Sequence, residues 1–218
     1  MNSKDVTIVI CCAGMGRRLG IGTSKALLDI GGKPLILRQL ELLEDYDDIR
    51  IVVGYDAEKV INTVLSYRKD IMFVFNYQYE NTSVVTSMKK ALLNPRKYIV
   101  EIDGDVLINP VDLVKLLAYP GECICGNSVH AVKSIGLDLK DGKVLDFKSE
   151  GCNYEWSGLA KIDSRRELKE EDFLYIALKP FLPIDFVFIN SRDINTVEDY
   201  EKALVWFNEG YKENQSVK

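Results

Sequence analysis

Seven consecutive residues near the start, VTIVICC at 6–12, show no alternation of polar with apolar side chains. At that length the run is a strand buried on both faces, and such a strand needs cover on both sides of its sheet. The cover follows at once. Behind Pro34, Ile36, Leu40 and Leu43 recur at helical spacing, which predicts a helix over 35–43. Strands at 49–53, 71–75 and 98–102 then alternate with helical segments at 57–67, 83–93 and 110–117, the third strand's helix closing at Asn94-Pro95. This rhythm predicts βαβ units, hence an α/β protein with a mostly parallel, doubly wound sheet. The second half changes: strands at 128–132, 136–139, 144–147, 156–162 and 185–189, a hairpin at Asp141-Gly142, and a helix at 167–177. Thr196 and Asp199 form a capping box for a last helix carrying Val197, Tyr200, Leu204 and Phe207, and the polar tail 213–218 is expected to fray.

With 218 residues and no linker or repeat, one domain is expected, 1–218. The net charge of −5 argues against a nucleic-acid partner. No apolar run reaches the ~20 residues of a membrane span, and no signal peptide is read, so a cytoplasmic protein is expected. Five cysteines, two of them inside the first strand, suit a reducing compartment. Cys123-x-Cys125 lacks the second pair that zinc needs, and His130, the one histidine, sits in a strand pattern rather than a catalytic one.

The first strand runs into CAGMGRRLG at 12–20, and SKALLDIGGKPLI follows at 24–36. Glycines that let backbone N–H groups approach closely, followed by Arg17, Arg18 and Lys25, point to phosphate. Two familiar templates fail. The Rossmann fingerprint needs glycine where Leu19 stands, and the Walker loop needs Ser or Thr where Pro34 follows Lys33.

A longer template fits. Ala13-Gly14-Met15-Gly16-x-Arg18-Leu19, then Ser24-Lys25-Ala26-Leu27-Leu28, then Gly32-Lys33-Pro34-Leu35-Ile36, resembles the signature of the sugar-phosphate nucleotidyltransferase superfamily. The similarity continues through Val52–Tyr55, Phe75-Asn76, Ile102–Asp105 and Ile194–Tyr200, and is weakest over about 120–185. Within the superfamily the chain looks like small bacterial CTP-dependent enzymes such as the phosphocholine cytidylyltransferases. The resemblance implies a Rossmann-like three-layer α/β/α fold with an added β-hairpin region, with a nucleotide-binding half to about 120 and an acceptor-binding half over about 121–190. It also implies transfer of CMP from CTP to a small phosphorylated acceptor with release of pyrophosphate, Mg²⁺ as cofactor, and a role in surface-polymer decoration. The partners implied are CTP and a phospho-alcohol such as a choline or glutamine derivative; the protein would be a monomer or homodimer.

Residue roles follow from the same resemblance. Lys25 and Arg18 would supply charge to the α-phosphate and the leaving pyrophosphate, and Lys148 would contact the acceptor phosphate. Ala13, Gly14, Met15, Gly16, Arg17 and Asp103 would bind the nucleotide, with Asn81, Thr82, Ser83 and Ser87 reading its base; Thr82 or Ser83 alone also reads as a helix N-cap. Asp105 in EIDGD, at a strand's carboxyl end, suits Mg²⁺, with Asn195 or Asp193 as the second ligand. Tyr154 and Trp156 would line an acceptor pocket or pack in the core. Three other readings stand beside this one: a sugar-1-phosphate nucleotidyltransferase using UTP, GTP or dTTP, a metal-dependent glycosyltransferase, and a non-catalytic nucleotide-binding regulator.

Overall fold

The computed structural model describes residues 3–20, 22–129 and 134–212. His130, most of the strand expected at 128–132 and the tail 213–218 lie outside the described residues. The opening run forms β1 (Val6–Cys12), followed by α1 (Leu35–Glu41), β2 (Ile49–Val53), α2 (Ala57–Tyr67), β3 (Met72–Phe75), α3 (Val84–Lys90) and β4 (Tyr98–Asp103). Next come β5 (Val106–Ile108), α4 (Pro110–Ala118), β6 (Cys123–Ser128), β7 (Gly136–Lys140) and β8 (Lys143–Lys148). The chain ends with β9 (Tyr154–Asp163), α5 (Leu174–Leu178), β10 (Ile184–Phe188), β11 (Ser191–Asp193) and α6 (Val197–Asn208).

Among the described residues nine strands form one mixed sheet in the order β3-β2-β1-β4-β9-β6-β10-β8-β7. The first four are parallel, as the alternation predicts, and β9 enters antiparallel between β4 and β6. Its first residues also pair with β7, so β9, β6, β10, β8 and β7 close into a ring of pairings. Helices cover both faces. Ile36 and Leu40 of α1, Val60 and Val64 of α2 and Leu113 and Leu116 of α4 pack on Ile8, Ile10, Ile51 and Ile102. On the other face Val85 and Met88 of α3 and Leu174 and Leu178 of α5 pack on Val9, Val52 and Ile99. β1 is thus buried on both sides, the condition its sequence sets.

Two expectations are corrected. The strand expected at 128–132 begins earlier, at Cys123, with Cys123 and Cys125 buried within it. The helix expected at 167–177 is only Leu174–Leu178. The stretch before it has one fully buried side chain, Leu168, while Glu170 is drawn to Thr86 and Lys89 of α3, so nothing rewards a helical turn there. The ribbon of β5 against β11, each three residues long, has no counterpart in the sequence reading.

Arg50 ties β2 to the loop after α3. Its guanidinium, 4% exposed, bonds Asp48 at 2.8 and 3.0 Å and the carbonyls of Ala91, Leu93 and Asn94. Burial alone would raise the Asp48 carboxyl, but hydrogen bonds from Arg50 and Thr7 hold it below the ordinary range. Arg50→Met strands a carboxylate and three carbonyls, so it should cost roughly 3–5 kcal/mol. At 2–4 °C per kcal/mol this lowers the melting midpoint by about 6–20 °C. Because the folded value of Asp48 is depressed, the benefit exists above the ordinary carboxylate pKa and fades as pH falls through the lowered one. Thermal melts of the two proteins should therefore draw closer in acid, while the part of the gap due to the stranded carbonyls persists; a gap that stays constant with pH contradicts the pairing.

Candidate active site

Parallel strands offer ligands their carboxyl ends where the strand order reverses. Here that point lies between β1 and β4, and the glycine-rich turn begins at it. Gly104 N donates to Cys11 O at 3.0 Å, and a Cβ at Gly104 would stand 2.6 Å from Cys12 Sγ, so only glycine allows the two strand ends to meet. Gln39 Nε2 holds the same turn from below, donating to Asp103 O at 2.9 Å and Val106 O at 2.8 Å.

The late chain arrives through the β5–β11 ribbon. Asp193 pairs with Val106, and Ile194 N donates to Asp105 O at 3.0 Å, which sets Asn195 beside Asp105. The capping box of α6 fixes it there: Asp199 accepts from the backbone of Asn195 and Thr196, while Thr196 Oγ1 accepts from Asp199 N. Lys25 occupies the junction. Its ammonium lies 2.6 Å from Asp105 Oδ2 and 2.8 Å from Asn195 Oδ1, and Arg18 donates to the same amide oxygen at 2.8 Å.

Two cavities meet at this junction. One, of about 310 Å³, runs from the turn at Ala13, Gly14, Gly16, Arg17 and Arg18 past Lys25 and Asp105 to Thr82, Ser83 and Ser87. The other is an open groove of about 1270 Å³ between β9, α5 and α6. Arg18, Val84 and Asp103 line both. The groove carries Glu155, Asp193 and Arg192 beside Trp156, Phe173 and Tyr175.

The electrostatics favour cations and phosphates. Loss of hydration, then the charge of Asp105, pushes half-buried Asp103 up to about 7, and Glu101 behind it is raised well above its ordinary value by burial and by Asp103. Asp193 faces the open cleft, yet its concave surroundings withdraw bulk water; that, with the charges of Asp105 and Asp103, raises it strongly. The acidic wall thus has more carboxyl groups than Lys25 can balance, and those with raised pKa values ionise fully only when a cation joins them. Among the described residues no three His, Cys, Asp or Glu side chains are grouped to enclose a metal. The hard oxygens of Asp105 and Asn195, both within reach of one point, instead suit Mg²⁺ shared with substrate phosphates, the mode that ion prefers.

Most expected site residues lie in this cleft; some do not. Lys148 lines neither cavity: strand alternation turns Phe147 into the core and Lys148 out, where Asp138 takes its ammonium at 2.6 Å. Asn81 is exposed and Met15 accepts a contact from Arg17; neither lines the cavities. Ser83 is the N-cap of α3, accepting from Thr86 N at 3.1 Å, and also lines the smaller cavity. Trp156 both lines the groove and packs edge-on against Phe147, whereas Tyr154 packs on Phe186 and Phe188. Arg192, Glu155 and Tyr175 belong to no motif, and only the curl of β9 toward the ribbon brings them together.

Residues 8–120, more than half of the chain, match the model of the MobA-like NTP transferase domain, and the chain belongs to that family. It is 34% identical over 225 residues to the bifunctional protein GlmU of Campylobacter fetus subsp. fetus, a match covering 90% of this chain and 51% of that protein. The chain spans about half the length, or less, of the GlmU relatives it matches. The choline-phosphate cytidylyltransferase of Streptococcus pneumoniae is 30% identical over 156 residues, with 63% of this chain and 66% of that one covered. The fold matches a CTP:phosphocholine cytidylyltransferase structure from Streptococcus pneumoniae with a TM-score of 0.78 at 24% identity, covering 93% of this chain and 99% of that one. It matches the inositol-1-phosphate CTP transferase of T. maritima equally well, with a TM-score of 0.78 at 15% identity and coverage of 96% and 98%. No helix among the described residues is long and apolar enough to cross a membrane.

Gly16 tests the turn. Its φ is +58°, and a Cβ there would meet Lys25 Cγ at 2.9 Å. Gly16→Ala adds about 1–2 kcal/mol of left-handed strain and pushes Lys25 off Asp105 and Asn195. We expect kcat/KM for nucleoside triphosphate to fall by about tenfold or more, with only a few degrees lost in thermal melts. Unchanged kcat/KM in pyrophosphate-release assays contradicts the role given to the turn.

Proposed function

We propose that the protein is a cytidylyltransferase that transfers CMP from CTP to a small phosphorylated acceptor. The observation that carries this reading is the junction of two cavities at Arg18 and Asp103, with the Lys25 ammonium and the Asp105 carboxylate beside it. The smaller cavity takes the nucleotide, its triphosphate on residues 13–18 and its base against Thr82, Ser83 and Ser87. The groove takes the acceptor and points its phosphate toward the junction.

In the reaction an acceptor phosphate oxygen forms a bond to the α-phosphorus. The bond from that phosphorus to the β-bridging oxygen breaks, and pyrophosphate leaves with the electron pair. The protein aligns these groups and neutralises charge; no covalent enzyme intermediate is needed. Lys25 exchanges its internal partners for the phosphoryl oxygens, and Arg18 binds the triphosphate. Asp105 and Asn195, with Asp193 in the same cleft, would hold Mg²⁺, which supplies Lewis-acid polarisation of the phosphate oxygens. Trp156 and Tyr175, near Asp193 and Glu155, suit an acceptor carrying a cationic group.

One observation favours a second reading. The groove of about 1270 Å³ has room for a sugar phosphate, which fits a sugar-1-phosphate nucleotidyltransferase. Pyrophosphate release with CTP, UTP, GTP and dTTP against phospho-alcohols and sugar 1-phosphates separates the two. Turnover with CTP and a phospho-alcohol supports the first; turnover confined to another triphosphate with a sugar 1-phosphate replaces it by the second.

Lys25→Ala should lower kcat by roughly 10²–10³, because a donor placed where charge develops acts mainly in the transition state. Its KM for nucleotide should change less. Steady-state kinetics with parallel melts checks this, and a kcat within about threefold of wild type removes Lys25 from the chemistry.

A further inference from the structure

Three residues lining the smaller cavity, Thr82, Ser83 and Ser87, carry hydroxyls, and each has one proton to give. Thr82 Oγ1 donates its proton to Gln78 O at 2.9 Å. Thr86 Oγ1 donates to the carboxylate of Glu170, which only accepts. In the Ser83 Oγ and Thr86 Oγ1 pair, 3.2 Å apart, Ser83 is therefore the donor, and its oxygen accepts from Thr86 N. Both protons are spent inside the protein.

Ser87 differs. Its Oγ accepts from Asn76 Nδ2 at 2.9 Å and donates to no group among the described residues. A helical serine commonly turns its proton back to the carbonyl four residues earlier; here the Asn76 contact accounts for its orientation instead. Asn76 is fully buried, at 0% exposure. One amide proton goes to Ser87, the other to Thr82 Oγ1 at 2.8 Å, and its Oδ1 accepts from Gln78 N at 3.2 Å. These contacts fix which end of the amide faces Ser87, and that end is a donor. Ser87 cannot give its proton to Asn76.

We infer that Asn76 is a positioning residue for nucleobase recognition: by donating to Ser87 Oγ it turns the Ser87 proton into the cavity, where it pairs with a carbonyl oxygen of a pyrimidine. The inference rests on the nucleotide reading of the cavity and adds the buried residue that orients the Ser87 hydroxyl. Thr82 and Ser83 shape the wall but have no proton left to offer. A base presenting a donor at that place leaves the hydroxyl unmatched, and this is how the site discriminates.

The test is equilibrium binding of CTP and ATP by calorimetry, with Mg²⁺ and without acceptor, to wild type, Ser87→Ala, Asn76→Asp and the double variant. Ser87→Ala should weaken CTP by roughly fivefold to tenfold, the worth of one hydrogen bond, and leave ATP nearly unchanged. Asn76→Asp keeps the shape but presents an acceptor to Ser87, so the hydroxyl proton turns inward and CTP weakens by a similar factor. In the Ser87→Ala background Asn76→Asp should add little. Full additivity there, or equal losses for CTP and ATP, marks Asn76 as merely structural and overturns the inference. Should Asn76→Asp not fold, Ser87→Ala decides alone: CTP affinity equal to wild type overturns it. A wild-type protein that binds neither nucleotide overturns the nucleotide reading itself, and the inference with it.

Discussion

The Lys25 ammonium is the point on which this cleft depends. Its partners, Asp105 and Asn195, stand 80 and 170 residues away along the chain, so one cation binds three remote segments into a site. Each segment reaches it by a different device. The glycine turn brings Lys25 off β1, the Gly104 approach to Cys11 places Asp105, and the β5–β11 ribbon carries Asn195. At side-chain exposures of 12% and 26%, Lys25 and Asp105 are partly desolvated, and their attraction is screened less than that of a surface pair.

That contact does not neutralise its surroundings. Asp103, Asp193 and buried Glu101 all have carboxyl pKa values raised, first by lost hydration and then by the charge of neighbouring carboxylates, Asp105 among them each time. A wall of carboxyl groups held partly protonated, beside a turn rich in N–H groups, Arg18 and Lys25, is arranged for a ligand that brings phosphates together with cations. Among the described residues no three His, Cys, Asp or Glu side chains are grouped to enclose a metal, so a cation there would need oxygens from its ligand as well. The groove beyond adds aromatic rings and further carboxyl groups.

Much of this is legible in the sequence, because it is local there. VTIVICC announces a strand covered on both faces, and the alternation after it sets the parallel half of the sheet. The turn with Gly14, Gly16, Arg18 and Lys25 is contiguous, and Asp105 ends a strand whose apolar run is plain. What escapes depends on distance or direction. The family resemblance puts Lys148 at the acceptor, but the inward packing of Phe147 sends it to Asp138. The ribbon strands are too short to show a period, so the route that brings Asn195 to Lys25 leaves no pattern. Arg192, Glu155 and Tyr175 meet only because β9 curls between β4, β6 and β7. Asn76 is visible at the end of β3, but its part requires knowing where three hydroxyl protons go.

On the proposed reading, nucleotide phosphates and a divalent cation meet at Lys25 and Asp105. Anomalous scattering from Mn²⁺ in crystals grown with a non-hydrolysable CTP analogue measures this directly. A peak is expected beside Asp105, with phosphate oxygens in its coordination shell and the triphosphate lying over the turn from Ala13 to Lys25. A peak away from Asp105, or an analogue seated elsewhere while Lys25 keeps its contacts to Asp105 and Asn195, would contradict it.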